Sequence, residues 1–258
     1  MVMLIEVRNG FFGYPGQDMI LKDINFSLKQ GEIMAILGQN GTGKTTMLKC
    51  LTGILKWKKG QTLINGKSLD SVGRLNEIGY VPQAHKLSFP YTVREMVAMG
   101  RARYIGPFSV PSKEDMEKVD EVIKSIGIEH LKNIPCTNLS GGQLQLVYIA
   151  RALAADPKVL VLDEPESHLD FKNQLMILKL IKRLVKGKNI SCIMNTHYPE
   201  HALRISDKTM FLGSKGYILG KSREVITEEN IGEYFDIHAK IVSIKNGNED
   251  LSTIIAFC

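Results

Sequence analysis

The sequence predicts an α/β fold with a mostly parallel core sheet, and three stretches predict it. "IMAIL" (33–37), "VLVLDE" (159–164) and "ISCIMNT" (190–196) are short, nearly continuous apolar runs. Such runs, bounded by turn residues, read as strands buried on both faces, the environment of a parallel sheet covered by helices. Helix-like segments separate them, as parallel crossovers require. The second run passes straight into Asp163 and Glu164, with Glu166 and Asp170 close behind. Acids at the end of a buried strand are costly unless they hold a metal, a proton or a cationic partner. The stretch "VLVLDEPESHLD" therefore marks a site.

In chain order, "MLIEVRNGFFGY" reads as a strand and turn. "ILKDINFSLKQGE" alternates apolar and polar residues like an antiparallel strand with one wet face. "TLINGKSL" carries Asn65-Gly66, a hairpin signal. These form an N-terminal antiparallel β-subdomain. "IMAIL" is followed by a glycine-rich loop and a helix, "KTTMLKCL", closed by Gly53. Thr92 and Glu95 form a capping box. "SKEDMEKVDEVIKSIG" sets Met116, Val119, Val122, Ile123 and Ile126 on one helical face. Residues 84–140 thus read as a helical subdomain inserted in a single domain, 1–258. "GQLQLVYIARALAAD" and "KNQLMILKLIKRLVKG" are helices, the latter expected to end with Gly187 as its C′ residue. "MFLGSKGYILG" reads as a hairpin, and residues 222–258 as a C-terminal tail whose end covers a sheet edge or extends a dimer contact.

At 258 residues the chain can bury one large core. Its 33 basic and 27 acidic residues give +6, but no Lys/Arg block is interleaved with aromatics. That pattern is a solvated surface, so no nucleic acid is expected as a partner. Cys50, Cys136, Cys192 and Cys258 show neither disulfide nor zinc spacing. No apolar run reaches membrane-spanning length and no leader layout is present. The expectation is a cytoplasmic protein that reaches a membrane only through a partner.

"GQNGTGKT", Gly38 to Thr45, fits G-x-x-x-x-G-K-[ST] and stands between a strand and a helix. Gly38, Gln39, Asn40, Gly41, Thr42 and Gly43 can turn backbone N–H groups around phosphate oxygens, with the helix N-terminus adding positive potential. Lys44 reaches for the β- and γ-phosphates, and Thr45 offers a hydroxyl to Mg²⁺. Asp163 can hold the same ion, usually through water, leaving Glu164 free to polarise an attacking water. ATP and Mg²⁺ are the expected cofactors.

"LSGGQ", Leu139 to Gln143, contains a capping box, Ser140 with Gln143. A helix start with two glycines also leaves N–H groups open to an anion. A chain that already has a phosphate loop gains from this only if it serves a second nucleotide, as in a symmetric dimer. With these motifs in this order the sequence resembles the ABC (ATP-binding cassette) ATPases over most of its length. The resemblance rests on the Walker A loop "GQNGTGKTT", the Walker B strand "VLVLDE", the signature "LSGGQ", the D-loop "SHLD", Gln83 in "VPQ" and His197 in "NTHYPEHAL".

The resemblance implies roles. Gln83 would touch Mg²⁺ or the attacking water and relay motion to the helical insert. His197 would hold the γ-phosphate together with Glu164. Ser140, Gly141, Gly142 and Gln143 would close over the partner's γ-phosphate, Thr46 and Asp170 would line the nucleotide site, and Tyr14 would stack on adenine. The other histidines (85, 130, 168, 201, 238) read as surface or packing residues. "YTVREMVAMGR", "DEPESHLDFKNQ" and "EVITEENIGEYFDI" are similar to importers of ferric siderophores, haem and cobalamin, whose relatives include oxyanion importers. Exposed apolar residues near "KLSFPYTV" would suit a groove for a permease helix. The implied assembly is a homodimer beneath two membrane permease subunits on the inner face of the membrane, fed by an external solute-binding protein. The alternative is a soluble assembly ATPase such as that of iron–sulfur cluster scaffolds.

Glu166 departs from the family, which usually has threonine there. Two carboxylates about 4 Å apart repel by about 4 kcal/mol at an effective dielectric of about 20. Glu166 is therefore expected to point away from the phosphates, toward solvent or a basic neighbour, and Glu166→Thr to leave hydrolysis within a few-fold.

Overall fold

The computed structural model describes residues 3–69, 77–83, 89–106, 108–188, 190–246 and 249–257. His85, Cys258 and residues 86–88 of the apolar stretch discussed above lie outside them. The chain opens with β1 (Met3–Phe12), β2 (Leu21–Lys29), β3 (Ile33–Leu37), α1 (Lys44–Leu51), β4 (Lys59–Ile64), β5 (Lys67–Ser68) and β6 (Ile78–Val81). Helices α2 (Val93–Ala98), α3 (Lys113–Ile126) and α4 (Gly141–Leu153) come next. They are followed by β7 (Val159–Asp163), α5 (Phe171–Lys188), β8 (Ser191–Asn195), α6 (Pro199–Ile205), β9 (Lys208–Gly213) and β10 (Gly216–Lys221). The end of the chain holds α7 (Ser222–Val225), α8 (Glu228–Phe235), β11 (His238–Asn246) and β12 (Glu249–Phe257).

A four-stranded antiparallel sheet has the order β2-β1-β4-β5, and Asn65 and Gly66, both at positive φ, turn β4 into β5. The main sheet has the order β10-β9-β3-β8-β7-β6. Its strands are parallel except β10, which runs antiparallel to β9. All residues of β3, β7 and β8 are buried, as their apolar runs require.

The two faces of β7 separate the core. Val159 and Val161 pack with Met47, Leu48 and Leu51 of α1 and with the antiparallel sheet. Leu160 and Leu162 pack with α4, α5 and the helices of the 93–131 segment. In α3, Val119, Val122, Ile123 and Ile126 are buried, and Met116 is only half-buried. Ser112 caps α3 and Thr92 caps α2, each in a reciprocal capping box. Arg101 fastens this segment to the end of α4. It donates to Asp115 at 2.9 Å, to the Ala154 carbonyl at 3.0 Å and to Asp156 at 3.1 Å, under the Tyr104 ring.

One expectation changes, and the end of the chain takes a form of its own. Gly187 does not end α5, which runs through it to Lys188, and its φ is not positive. An interior glycine costs only about 1 kcal/mol against alanine, and the helix continues until the chain must turn so that Ile190 is buried ahead of β8. Among the described residues the end of the chain does not pair with the main sheet. β11 and β12 form their own two-stranded sheet. It is fixed to α6, where the Glu200 carboxylate accepts from the backbone N–H of Ile254 and the hydroxyl of Thr253.

Phe211 of β9 is fully buried, with Tyr234 and Phe235 of α8 against its ring at 5.3 and 6.1 Å. Phe211→Ala should lower the unfolding free energy by about 3–5 kcal/mol, read from urea denaturation; a loss below about 1 kcal/mol would show that α8 is not docked through this residue.

Candidate active site

The carboxyl ends of β3, β7 and β8 lie side by side, where ligands bind in open α/β sheets. The register brings Asp163 beside Asn195, and Asn195 beside Ile36. The loop from β3 to α1 holds residues 38–43. Gly38 has φ 150°, and a Cβ there would lie 2.1 Å from the Leu212 carbonyl oxygen. Gly43, at φ 99°, would meet Ile20 at 2.7 Å. Only glycine lets the loop pass this closely beneath β9 and the start of β2. Gln39, Asn40 and Gly41 form the exposed rim, with the Thr42 hydroxyl donating to the Gln39 carbonyl at 3.0 Å.

Lys44 is 5% exposed, and its ammonium donates to the carbonyls of Gly38 and Gln39, both at 2.8 Å. Burial pulls its pKa below the usual lysine range, opposed by the nearby charges of Glu164 and Asp163. Thr45 donates to Asp163 Oδ1 at 2.9 Å. Asn195 Nδ2 donates to the same oxygen at 2.6 Å, and Tyr80 donates to Asp163 Oδ2 at 3.0 Å. Burial, with the neighbouring Asp163 carboxylate, pushes the Tyr80 hydroxyl well above the ordinary tyrosine range, so it remains a donor. Asp163 is thus a buried acid whose cost is offset by three donors from three elements.

Glu164 follows in the left-handed region, φ 49°, and its N–H donates to Asn195 Oδ1 at 2.6 Å. This turn sends its carboxylate elsewhere than that of Asp163. One oxygen, Oε1, meets His197 Nε2 at 2.5 Å. An ionised carboxylate only accepts, so Nε2 carries the hydrogen. The other oxygen accepts from Ser167 at 2.8 Å and from Gln83 Nε2 at 3.3 Å. Gln83, Glu164 and His197 therefore converge beside Thr45 and Asp163, each half-buried and open enough to meet a ligand.

Tyr14 donates to or accepts from the Thr46 hydroxyl at 3.3 Å and packs edge-on against Phe12. Ser140 and Gln143 form the capping box of α4, and Gly142 lies so close to Asn173 that a Cβ would come within 2.8 Å of it. Asp170 accepts from the N–H and side chain of Asn173 at the start of α5. No hydrogen bond among the described residues joins 140–143 or Asp170 to the 38–45 loop. One chain therefore gathers the phosphate loop, Asp163, Glu164, Gln83 and His197, while Ser140 and Gly141 of the signature are exposed.

Of the two surroundings expected for Glu166, solvent or a basic neighbour, the structure shows the second. The side chain turns toward His201, at 3.4 Å, also meets Thr196, and is 1% exposed. The tolerance expected of Glu166→Thr rested on a carboxylate turned away from the phosphates and did not reckon with these buried contacts. Sequence reasoning also missed Tyr80, Ser167 and Asn195. For Asn195 the signal was a polar residue closing a buried apolar run, the same signal that marked Asp163.

The groups present fit a nucleoside triphosphate and a hard cation. The position a Cβ would take on Gly41 has nothing within 4 Å, leaving backbone accessible to a phosphate. Thr45 and Asp163 offer the oxygen donors that Mg²⁺ takes when most of its shell is water and phosphate.

The ABC transporter family profile matches residues 21–167, more than half of the chain. The molybdate import ATP-binding protein MolC of Haemophilus influenzae is 35% identical, covering 90% of this chain and 88% of its own length. The probable iron chelatin transport ATP-binding protein of Helicobacter pylori is 35% identical over 91% of this chain and 93% of its own. A solved structure described as a metal-chelate type ABC transporter in an inward-facing conformation superposes with a TM-score of 0.91 at 32% identity, covering 100% of this chain and 98% of that one. The chain belongs to the ABC transporter family and is of its ATP-binding, ATP-hydrolysing type. Among the described residues no helix is long and apolar enough to cross a membrane.

Asn195 is fully buried and bonded to both Asp163 and Glu164. Asn195→Ala should destabilise the fold by about 1–3 kcal/mol, the cost of stranding buried partners, and should slow ATP hydrolysis at least tenfold; unchanged turnover in a folded variant would remove Asn195 from the site.

Proposed function

We propose that this ABC importer ATPase energises uptake of a metal-containing solute, an iron–siderophore, haem, cobalamin or a related species. The observation that carries the reading is the convergence of Gln83 and His197 on Glu164, beside the Thr45–Asp163 pair. The solute class is supported by relatives named for iron chelatin and molybdate import and by the metal-chelate transporter structure. All three match nearly the full chain, which favours a transport subunit over a soluble assembly ATPase.

In this reading Lys44 and the N–H groups of residues 38–46 bind the ATP phosphates, and Tyr14 stacks on adenine. Thr45 and Asp163, with Gln83, would hold Mg²⁺, which when bound neutralises phosphate charge. Glu164 takes up the proton of the attacking water, and His197 fixes that carboxylate and faces the γ-phosphate. Two copies close head to tail, so that Ser140, Gly141, Gly142 and Gln143 of each cover the nucleotide held by the other, with Asp170 at the seam. Ser140 and Gly141 are exposed at the start of α4, which supports this arrangement. Closure excludes water and completes the site. The helical subdomain, residues 84–140, moves with Gln83 and passes the motion to permease subunits at the inner face of the membrane. The exposed rings of Phe89 and Tyr91 are suited to that contact. An external solute-binding protein delivers the cargo.

Glu164→Gln should retain ATP binding and lose hydrolysis by about 10²-fold or more; turnover within a few-fold of the parent chain would exclude Glu164 as the base. Recovery of the protein from membranes of its native cell in mild detergent should bring a many-helix permease, identified by mass spectrometry. Recovery from the soluble fraction alone, with assembly factors, would overturn the importer reading.

A further inference from the structure

Among the described residues, Glu166 is a buried acid beside the site that the hydrolysis scheme does not use. It is 1% exposed, and its Oε2 has no hydrogen-bond partner among the described residues. Its other oxygen meets the Thr196 hydroxyl and His201 Nδ1. His201 is itself 6% exposed and lies under the exposed Tyr198 ring, 4.7 Å between centroids. A carboxylate held this way is a poor source of stability. Its desolvation is only partly offset, and an apolar residue of similar volume would serve packing as well. What it touches explains it better.

Thr196 stands directly before His197, and its hydroxyl oxygen also accepts from the N–H of Tyr198, directly after it, at 3.0 Å. Glu166 therefore holds one flank of His197 directly and the other through the Thr196 hydroxyl, and His201 ties this link to α6. Glu164, two residues before Glu166, meets His197 itself. The segment after β7 and the segment after β8 are thus joined twice, once at the reacting surface and once behind it.

We propose that Glu166 is a positioning residue: through Thr196 and His201 it fixes the 196–198 segment, so that His197 is held against Glu164. This rests on the hydrolytic role given above to Glu164 and His197. Residue 166 contributes no group to ATP, Mg²⁺ or water.

The test uses Glu166→Gln, which keeps the volume and an acceptor for Thr196 but gives up the charge facing His201, and Thr196→Val, which cuts the link from its other end. In the full-length chain each should lower kcat by about fivefold or more with the KM for ATP within about twofold, and the double variant should lose little beyond either single one. In a His197→Ala background Glu166→Gln should change kcat by less than about twofold, because its route to the chemistry is gone. Equal losses with and without His197 would overturn the proposal, as would a rise in KM with kcat unchanged. A second readout needs no turnover. The His197 ring ¹⁵N resonances, assigned through His197→Gln, should move in Glu166→Gln and in Thr196→Val, and resonances unmoved in both folded variants would overturn it. If His197→Ala hydrolyses ATP normally, the failure belongs to the catalytic scheme, while the resonances still decide whether Glu166 positions the imidazole.

Discussion

The site depends on one buried carboxylate. Asp163 ends strand β7 at 5% exposure, and its two oxygens take hydrogen bonds from α1, β6 and β8 through Thr45, Tyr80 and Asn195. A single carboxylate removed from water would be intolerable, and three donors make it tolerable. Its satisfaction sets the phosphate-loop helix and two strand ends at fixed positions relative to one another. Asn195 extends the effect by accepting the Glu164 N–H with its other end. That fixes the left-handed turn that separates the two adjacent acids. The two adjacent carboxylates thereby face different neighbours, Asp163 toward Thr45 and Tyr80 and Glu164 toward His197.

Around this knot the architecture divides labour. The α1 face of the sheet, backed by the antiparallel sheet, is closely packed and carries the phosphate loop, whose glycines fit against Leu212 and Ile20 with no room for a Cβ. The opposite face carries α4, α5 and the helical segment, whose polar fastening through Arg101 runs to α3 and to the end of α4. Gln83 stands between them at the exit of β6 and is bonded to Glu164. A side chain placed there can sense the reacting centre and the helical segment together.

Much of this was legible in the sequence for local reasons. Buried parallel strands are short apolar runs, capping boxes have fixed spacing, and the phosphate loop has its glycines where backbone geometry needs them. The positions of β3, β7, β8, α1 and the boxes at Thr92 and Ser140 follow from those rules. Harder to read were residues whose partners lie far along the chain. Asn195 looks like the first loop residue after a strand until the register sets it beside Asp163. Glu166 reads as a loop acid facing solvent or some basic neighbour until Thr196 and His201, about 30 residues on, close over it. Gly187 misled because glycine marks helix ends only when the chain turns there, and here α5 has one more residue to go.

The central claim is that the catalytic residues of one copy are completed by the signature of another. Asn40 and Ser140 are both exposed and make no hydrogen bond to each other within one chain. The most direct measurement is disulfide trapping of an Asn40→Cys/Ser140→Cys chain in membranes of its native cell, where any permease is present, with ATP and without Mg²⁺. The account predicts a covalent dimer that forms with ATP and is absent without nucleotide. A chain that remains monomeric under both conditions, while still binding ATP, would contradict it.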